Sequence, residues 1–134
     1  GKDALMNMLS LMYVAVGGAF GSLCRYALMQ WIGRLHATPF PYGTFAVNIT
    51  GSFLMGLWIG AVALLLPERQ KDLHLLIAVG ALGGFTTFST FSLDAFMLLE
   101  KGLYTQAASY MIGSAALSIA ALFAAMLLVQ RLAS

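Results

Sequence analysis

Residues 80 to 92 read Gly80-Ala81-Leu82-Gly83-Gly84-Phe85-Thr86-Thr87-Phe88-Ser89-Thr90-Phe91-Ser92, three glycines followed by five hydroxyl residues. Glycine weakens a helix by about 1 kcal/mol relative to alanine. Ser and Thr offer the backbone local hydrogen bonds in place of the helical ladder. Together they predict a helix that breaks. Inside a membrane the main-chain groups freed by a break must meet protein, water or an ion, because hydrocarbon satisfies none of them. Broken membrane helices bind ions for this reason. A structural arrangement competes with this reading: a glycine packing face, with each hydroxyl bonded back to its own helix. Phe85, Phe88 and Phe91 recur every three residues, a spacing that shares one helix face. Such a stripe is either plain packing or, with Thr87, Ser89, Thr90 and Ser92 between the rings, part of a narrow polar path. Ring edges are partly positive and would accept an anion weakly, without a full charge to trap it.

Two further stretches carry polar groups at helical spacing. Thr44, Asn48, Ser52, Gly56 and Gly60 lie four apart and form one small, polar stripe. Small residues allow helices to approach closely. The Asn48 amide, costly to bury without partners, has two N–H donors suited to an anion. It is equally suited to an interhelical hydrogen bond. Tyr110, Ser114 and Ser118 repeat the four-residue spacing with hydroxyl donors, on a stretch whose alanines and Gly113 favour tight packing. Gly17 and Gly21 share that spacing, and Arg25 follows. Arg25 is placed either to snorkel to the interface or to hold a helix terminus.

These residues need elements to position them, and composition names the elements. Apolar residues make up 60% of the chain and charged residues 9%, against about 45–50% and about 25% in soluble domains. A bilayer core of roughly 30 Å takes about 20 apolar residues of helix. Four stretches reach that length, at about 8–32, 43–66, 73–99 and 104–132. The expectation is an all-α membrane protein: one transmembrane domain over 1–134, four transmembrane helices, the third broken. Short polar connections force neighbours to run antiparallel. They are 34–42 with Pro39 and Pro41, the Pro67-Glu68-Arg69-Gln70-Lys71-Asp72 loop, and Glu100-Lys101-Gly102. The first apolar stretch is too long for a cleavable signal and lacks a cleavage site after it.

The charges exclude several classes. A net charge of +2 without a basic stripe argues against nucleic acid. Cys24 has no partner for a disulfide or a metal cluster, and no nucleophile–base pair or phosphate loop appears, so an enzyme is not expected. His36 and His74 fall near the connections. Lys2, Arg69, Lys71 and Arg131 fall on one side of the membrane and Arg34 and Lys101 on the other. Four against two is a weak orientation bias, compatible with insertion both ways or with chance.

With these residues in view, the chain resembles the small bacterial fluoride channels, the Fluc family. Three motifs carry the likeness in order: Gly17-Gly18-Ala19-Phe20-Gly21 with Arg25-Tyr26; Gly43-Thr44 through Val47-Asn48 with Gly51 and Gly56; and Gly83-Gly84-Phe85-Thr86-Thr87-Phe88-Ser89-Thr90-Phe91. The likeness spans nearly the whole chain, and the last motif is highly specific. It implies an antiparallel, dual-topology homodimer in a bacterial inner membrane. Two fluoride pathways would be lined here by Asn48, Phe88, Phe91, Tyr110, Ser114 and Ser118. It also implies a structural sodium ion at the dimer centre, held by the backbone carbonyls of Gly83 and Thr86 from both chains. Asp94 stands where many members carry glutamate. The implied activity is passive export of cytoplasmic fluoride, which confers fluoride resistance.

Two rival readings compete with this one. A dual-topology small-molecule/proton exchanger also has four helices, but it needs a membrane-embedded, titrating carboxylate. Asp94 is the one acid inside a long apolar stretch. A structural subunit of a larger membrane complex would need no pathway at all.

Overall fold

The computed structural model describes residues 2–65 and 70–134 of the chain, with side chains for 7–62 and 71–134. Among these residues every regular element is helical. Helix α1 spans Lys2–Leu35 and α2 spans Tyr42–Leu65. Helix α3 covers 70–85: an opening turn Gln70–Leu73, a wide π-helical stretch His74–Leu82 and a last turn Gly83–Phe85. Helix α4 spans Phe88–Glu100, and α5 spans Tyr104–Ala133.

Four stretches are long and apolar enough to cross a membrane: Asn7–Leu35, Tyr42–Val62, Lys71–Glu100 and Tyr104–Ala133. The third comprises α3 and α4. Large apolar side chains face outward, with Phe20 65%, Leu23 71% and Ile112 70% exposed. A water-soluble surface would not carry so many, whereas lipid solvates them. The chain is a multi-pass membrane protein.

Element ends differ in places from the sequence expectation. Helix α1 continues to Leu35, with Arg34 in its last turn, where a cation meets the negative end of the helix dipole. Pro67, Glu68 and Arg69 of the expected polar loop lie outside the described residues. Gln70, Lys71 and Asp72 are helical rather than loop, with Asp72 in the first turn, where an acid is favoured. The π-helical stretch was not anticipated, because its run of Leu, Ile, Ala and Val carries no signal for a wider helix.

Contacts fix the direction of each helix. A Cβ built on Gly17 would strike the Leu76 carbonyl oxygen, and one on Gly21 would strike that of Ala81. The partner number rises with the α1 number, so α1 and α3 run parallel. A Cβ built on Gly56 would strike Leu122 and Ala125, and one on Gly60 would lie 3.0 Å from the Val129 Cβ, so α2 and α5 are parallel too. Asn48 meets Thr87 while Trp58 meets His74, so α2 opposes the third span. Without a hydrophobic drive between helices in lipid, such close backbone approach is what holds a bundle together.

The connections lock this order. After Glu100, the Gly102 N–H donates to Leu99 O at 3.0 Å and the Leu103 N–H to Leu98 O at 2.9 Å. Gly102 adopts φ +76°, the left-handed conformation that glycine takes without a Cβ penalty at a helix C-terminus. In the 36–41 connection, Phe40 turns inward and meets Tyr110 edge-on at 5.6 Å and Phe45 at 5.5 Å. These rings cover a small core of Ala95, Leu98, Ala107 and Tyr110.

The Gly56 crossing generates a paired prediction. Gly56→Val should lower the thermal unfolding midpoint in detergent, at a cost of about 1–3 kcal/mol typical of overpacking. Gly33, with nothing near its Cβ position, should tolerate alanine within about 0.5 kcal/mol. Equal midpoints for Gly56→Val and the parent protein would refute the crossing.

Candidate functional site

Two residues leave the helical conformation between α3 and α4. Thr86 has φ −85° and ψ 157°, and Thr87 has φ −150° and ψ 118°, both extended. A helix end leaves its last carbonyls without helical donors. Leu82 O accepts from the Thr86 N–H at 3.1 Å and from the Thr86 Oγ1 hydroxyl at 3.1 Å. Gly84 O accepts from Arg25 Nε at 3.0 Å. In a continuous helix the Thr87 N–H would close onto Gly83 O. Here it donates to Asn48 Oδ1 at 2.8 Å instead. The Thr90 N–H donates to Thr87 Oγ1 at 3.2 Å rather than to Thr86 O. The Gly83 and Thr86 oxygens are therefore released from the ladder.

Asn48 acts as a substitute peptide group. Its Oδ1 accepts the Thr87 N–H while its Nδ2 donates to Thr87 O at 3.1 Å. This uses the interhelical role open to a buried amide and leaves one of the two Nδ2 hydrogens free. Thr87 caps α4 through its side chain, a role suited to threonine. The backbone is thus extended and also paired on both sides.

Beside these residues lies a cleft of about 310 Å³. Asn48 and Ser52 of α2 line it, with Thr86 and Thr87, Phe88 and Phe91 of α4, and Ser114, Ala115, Ser118 and Ile119 of α5. No charged side chain is among them. The Ser114 hydroxyl is buried and has no hydrogen-bond partner among the described residues. A buried hydroxyl without a partner is costly unless a ligand supplies one. The cleft therefore offers hydroxyl and amide donors against two aromatic rings, with centroids 5.5 Å apart.

Five residues singled out by type and spacing, Asn48, Phe88, Phe91, Ser114 and Ser118, meet in this one cleft. Tyr110 does not line it. It is fully buried, donates its hydroxyl to Asp94 Oδ2 at 3.1 Å and packs on Phe91 at 5.0 Å, so it seats that ring from behind. Phe85 departs from the expected three-ring face. The extended pair turns the chain after it, and Phe85 is buried against Gly51 of α2. Phe88, by contrast, is 78% exposed.

Asp94 lines a separate cavity of about 410 Å³ with His36, Thr38 and Thr44. Gly83 is exposed and Thr86 half-buried. Arg25 holds a helix terminus rather than snorkelling. The part played by Thr87 was missed in the sequence, although Thr just before an apolar helical run is an N-cap signal.

The family profile described as "CrcB-like protein, Camphor Resistance (CrcB)" matches residues 12–126. Among curated relatives, the "Fluoride-specific ion channel FluC" of Phenylobacterium zucineum is 48% identical over 128 residues, covering 92% of this chain and 98% of that protein. The protein of the same name from Agrobacterium fabrum is 47% identical over 125 residues, covering 93% and 99%. That from Caulobacter sp. is 46% identical over 127 residues, covering 95% and 99%.

The double contact of Asn48 generates a prediction about the backbone. Asn48→Ala removes both partners of Thr87, and each buried group left unpaired costs about 1–3 kcal/mol. Amide hydrogen exchange at Thr87 should accelerate at least roughly tenfold, the factor equivalent to 1.4 kcal/mol. Unchanged exchange would mean that Asn48 does not hold the extended pair.

Proposed function

Because the chain belongs to the CrcB-like family, matched by its profile over residues 12–126 and by FluC relatives over nearly its whole length, we propose that it is a fluoride channel. It carries fluoride out of the cytoplasm by passive electrodiffusion through the cleft. The observation that carries this reading is the Ser114 hydroxyl, buried and unpartnered among the described residues, in a cleft lined without charge. A small anion must exchange its water for donors to enter, yet bind loosely enough to leave. The Ser114 and Ser118 hydroxyls, the free N–H of Asn48 and the edges of Phe88 and Phe91 supply such donors in steps. Tyr110 serves the path indirectly, by seating Phe91. Hydrogen fluoride enters a cell as the neutral acid and dissociates inside. The membrane potential then drives the anion outward, so a channel suffices.

The working unit is a homodimer of opposed copies in the bacterial inner membrane. Gly83, Phe88, Ser89 and Ser92 are exposed in this chain, and hydroxyls and freed carbonyls at mid-span need protein around them. A second copy supplies it, and the weak charge bias permits the inverted orientation. The third span is broken at Thr86 and Thr87. Its released Gly83 and Thr86 carbonyls are hard oxygen donors of the kind that suit a hard cation such as sodium. Bound sodium would supply positive charge that offsets repulsion between anions in the two paths. An exchanger is not favoured, because the one embedded acid, Asp94, is hydrogen-bonded to Tyr110 and lies outside the cleft.

Purified chain in liposomes, followed with a fluoride electrode, should release fluoride and exclude chloride without any partner protein. Absence of fluoride efflux would end the channel reading. Asp94→Asn should retain transport, whereas an exchanger would lose it. Gly83→Val tests the sodium site. Among the described residues a Cβ there meets nothing closer than the Ala78 carbonyl at 3.6 Å, so loss of assembly points to the face between copies. It should abolish dimerisation and flux together, read by cross-linking and efflux.

A further inference from the structure

Arg25 reaches the third span by a route that begins in the glycines. A Cβ on Gly84 would lie 2.7 Å from Gly18 O, and one on Gly21 would lie 2.9 Å from the Phe85 nitrogen. With no side chains between them, α1 and the last turn of α3 touch backbone to backbone. Arg25 lies one turn beyond Gly21 on the same face of α1, which brings it to the end of that turn. Its Nε–H donates to Gly84 O at 3.0 Å across 59 residues of sequence. The acceptor sits in the same short stretch as the Leu82, Gly83 and Thr86 carbonyls. Leu82 O is taken by Thr86, while Gly83 O and Thr86 O have lost their helical donors to Asn48 and Thr87.

We propose that Arg25 is a positioning residue of the fluoride pathway, whose Nε–H, rather than its charge, takes up the Gly84 carbonyl and so fixes which main-chain oxygens remain free. This rests on the channel reading given above. A charged guanidinium near an anion path has an evident electrostatic role, but the contact seen here is directional and uses the nitrogen within the side-chain stem. An unpaired Gly84 carbonyl would compete for the same N–H groups or cations as its neighbours. The last turn would then have no fixed end from which Thr86 and Thr87 depart, and the ring of Phe88, which follows directly, would lose its place.

Side-chain chemistry separates donor from charge. Glutamine carries its amide nitrogen the same number of bonds from Cα as arginine carries Nε, and it is neutral. Lysine keeps the charge but has a methylene at that position. Methionine keeps the bulk and has neither. The sequence also provides a private reporter, because Gly84-Phe85 is its one Gly-Phe step. Labelling glycine carbonyls with carbon-13 and phenylalanine nitrogens with nitrogen-15 in the full chain therefore isolates the Gly84 carbonyl resonance, which moves when its hydrogen bond is lost.

The parent chain and Arg25→Gln, Arg25→Lys and Arg25→Met are compared in liposomes, by fluoride efflux and by this resonance. Arg25→Gln should keep the parent carbonyl shift and efflux within about threefold, as one neutral hydrogen bond substitutes for a charged one. Arg25→Lys and Arg25→Met should lose the shift and at least roughly tenfold of the efflux. Retention by lysine with loss by glutamine would assign the role to charge and overturn the proposal. Parent-like efflux in Arg25→Met, an unmoved resonance there, or failure of Arg25→Gln to assemble would overturn it too. If the parent chain itself passes no fluoride, the channel reading fails, and the resonance still decides whether Nε holds the carbonyl.

Discussion

Hydrocarbon offers a peptide group no hydrogen-bond partner, and the site is an answer to that constraint. A chain that leaves the helical ladder inside a lipid-facing bundle must replace each lost bond from elsewhere. Here the replacements come from three directions. Asn48 on α2 gives Thr87 both a donor and an acceptor. Arg25 on α1 takes the Gly84 carbonyl. Thr86 and Thr87 use their own hydroxyls to close one helix and open the next. The Gly83 and Thr86 oxygens lose their helical donors at the break, and in the cleft the Ser114 hydroxyl is buried without a partner among the described residues; those are groups to which a function can be attached.

The replacements work only at short range, which explains the glycines on the neighbouring helices. Gly17 and Gly21 let α1 lie directly on the α3 backbone, and Gly51 leaves room for Phe85 and Thr86. Gly56 and Gly60 do the same between α2 and α5. In lipid, association depends on such packing and on polar contacts rather than on expulsion of water. Each small residue therefore contributes twice, by allowing close contact and by bringing a polar side chain within reach. The stripe Thr44, Asn48, Ser52, Gly56, Gly60 divides between the two tasks: its glycine end packs, and Asn48 and Ser52 line the cleft.

Much of this was legible in the residues. Length and apolarity locate the four spans, because membrane thickness sets a length that few other constraints require. Four-residue spacing places Asn48 with Ser52, and Ser114 with Ser118, because helical period alone decides who shares a face. What stayed hidden depends on contacts between distant residues. Nothing local tells that the Tyr110 hydroxyl turns to Asp94, that Phe40 folds inward from a proline-containing connection, or that Arg25 points at Gly84. Three-residue spacing also misled at Phe85, since the rule holds only while the helix continues, and the backbone turns at Thr86 and Thr87. The π-helical geometry of His74–Leu82 has no compositional mark.

Helices α2 and α5 run side by side in the same direction, and each presents donors one turn apart: Asn48 and Ser52 on one, Ser114 and Ser118 on the other. A helix climbs about 6 Å in four residues, at 1.5 Å each. Successive donors on each helix are therefore about 6 Å apart along the axis, about twice the reach of one hydrogen bond. On the channel reading proposed above, matched rails of this pitch would flatten the energy profile without any single deep well.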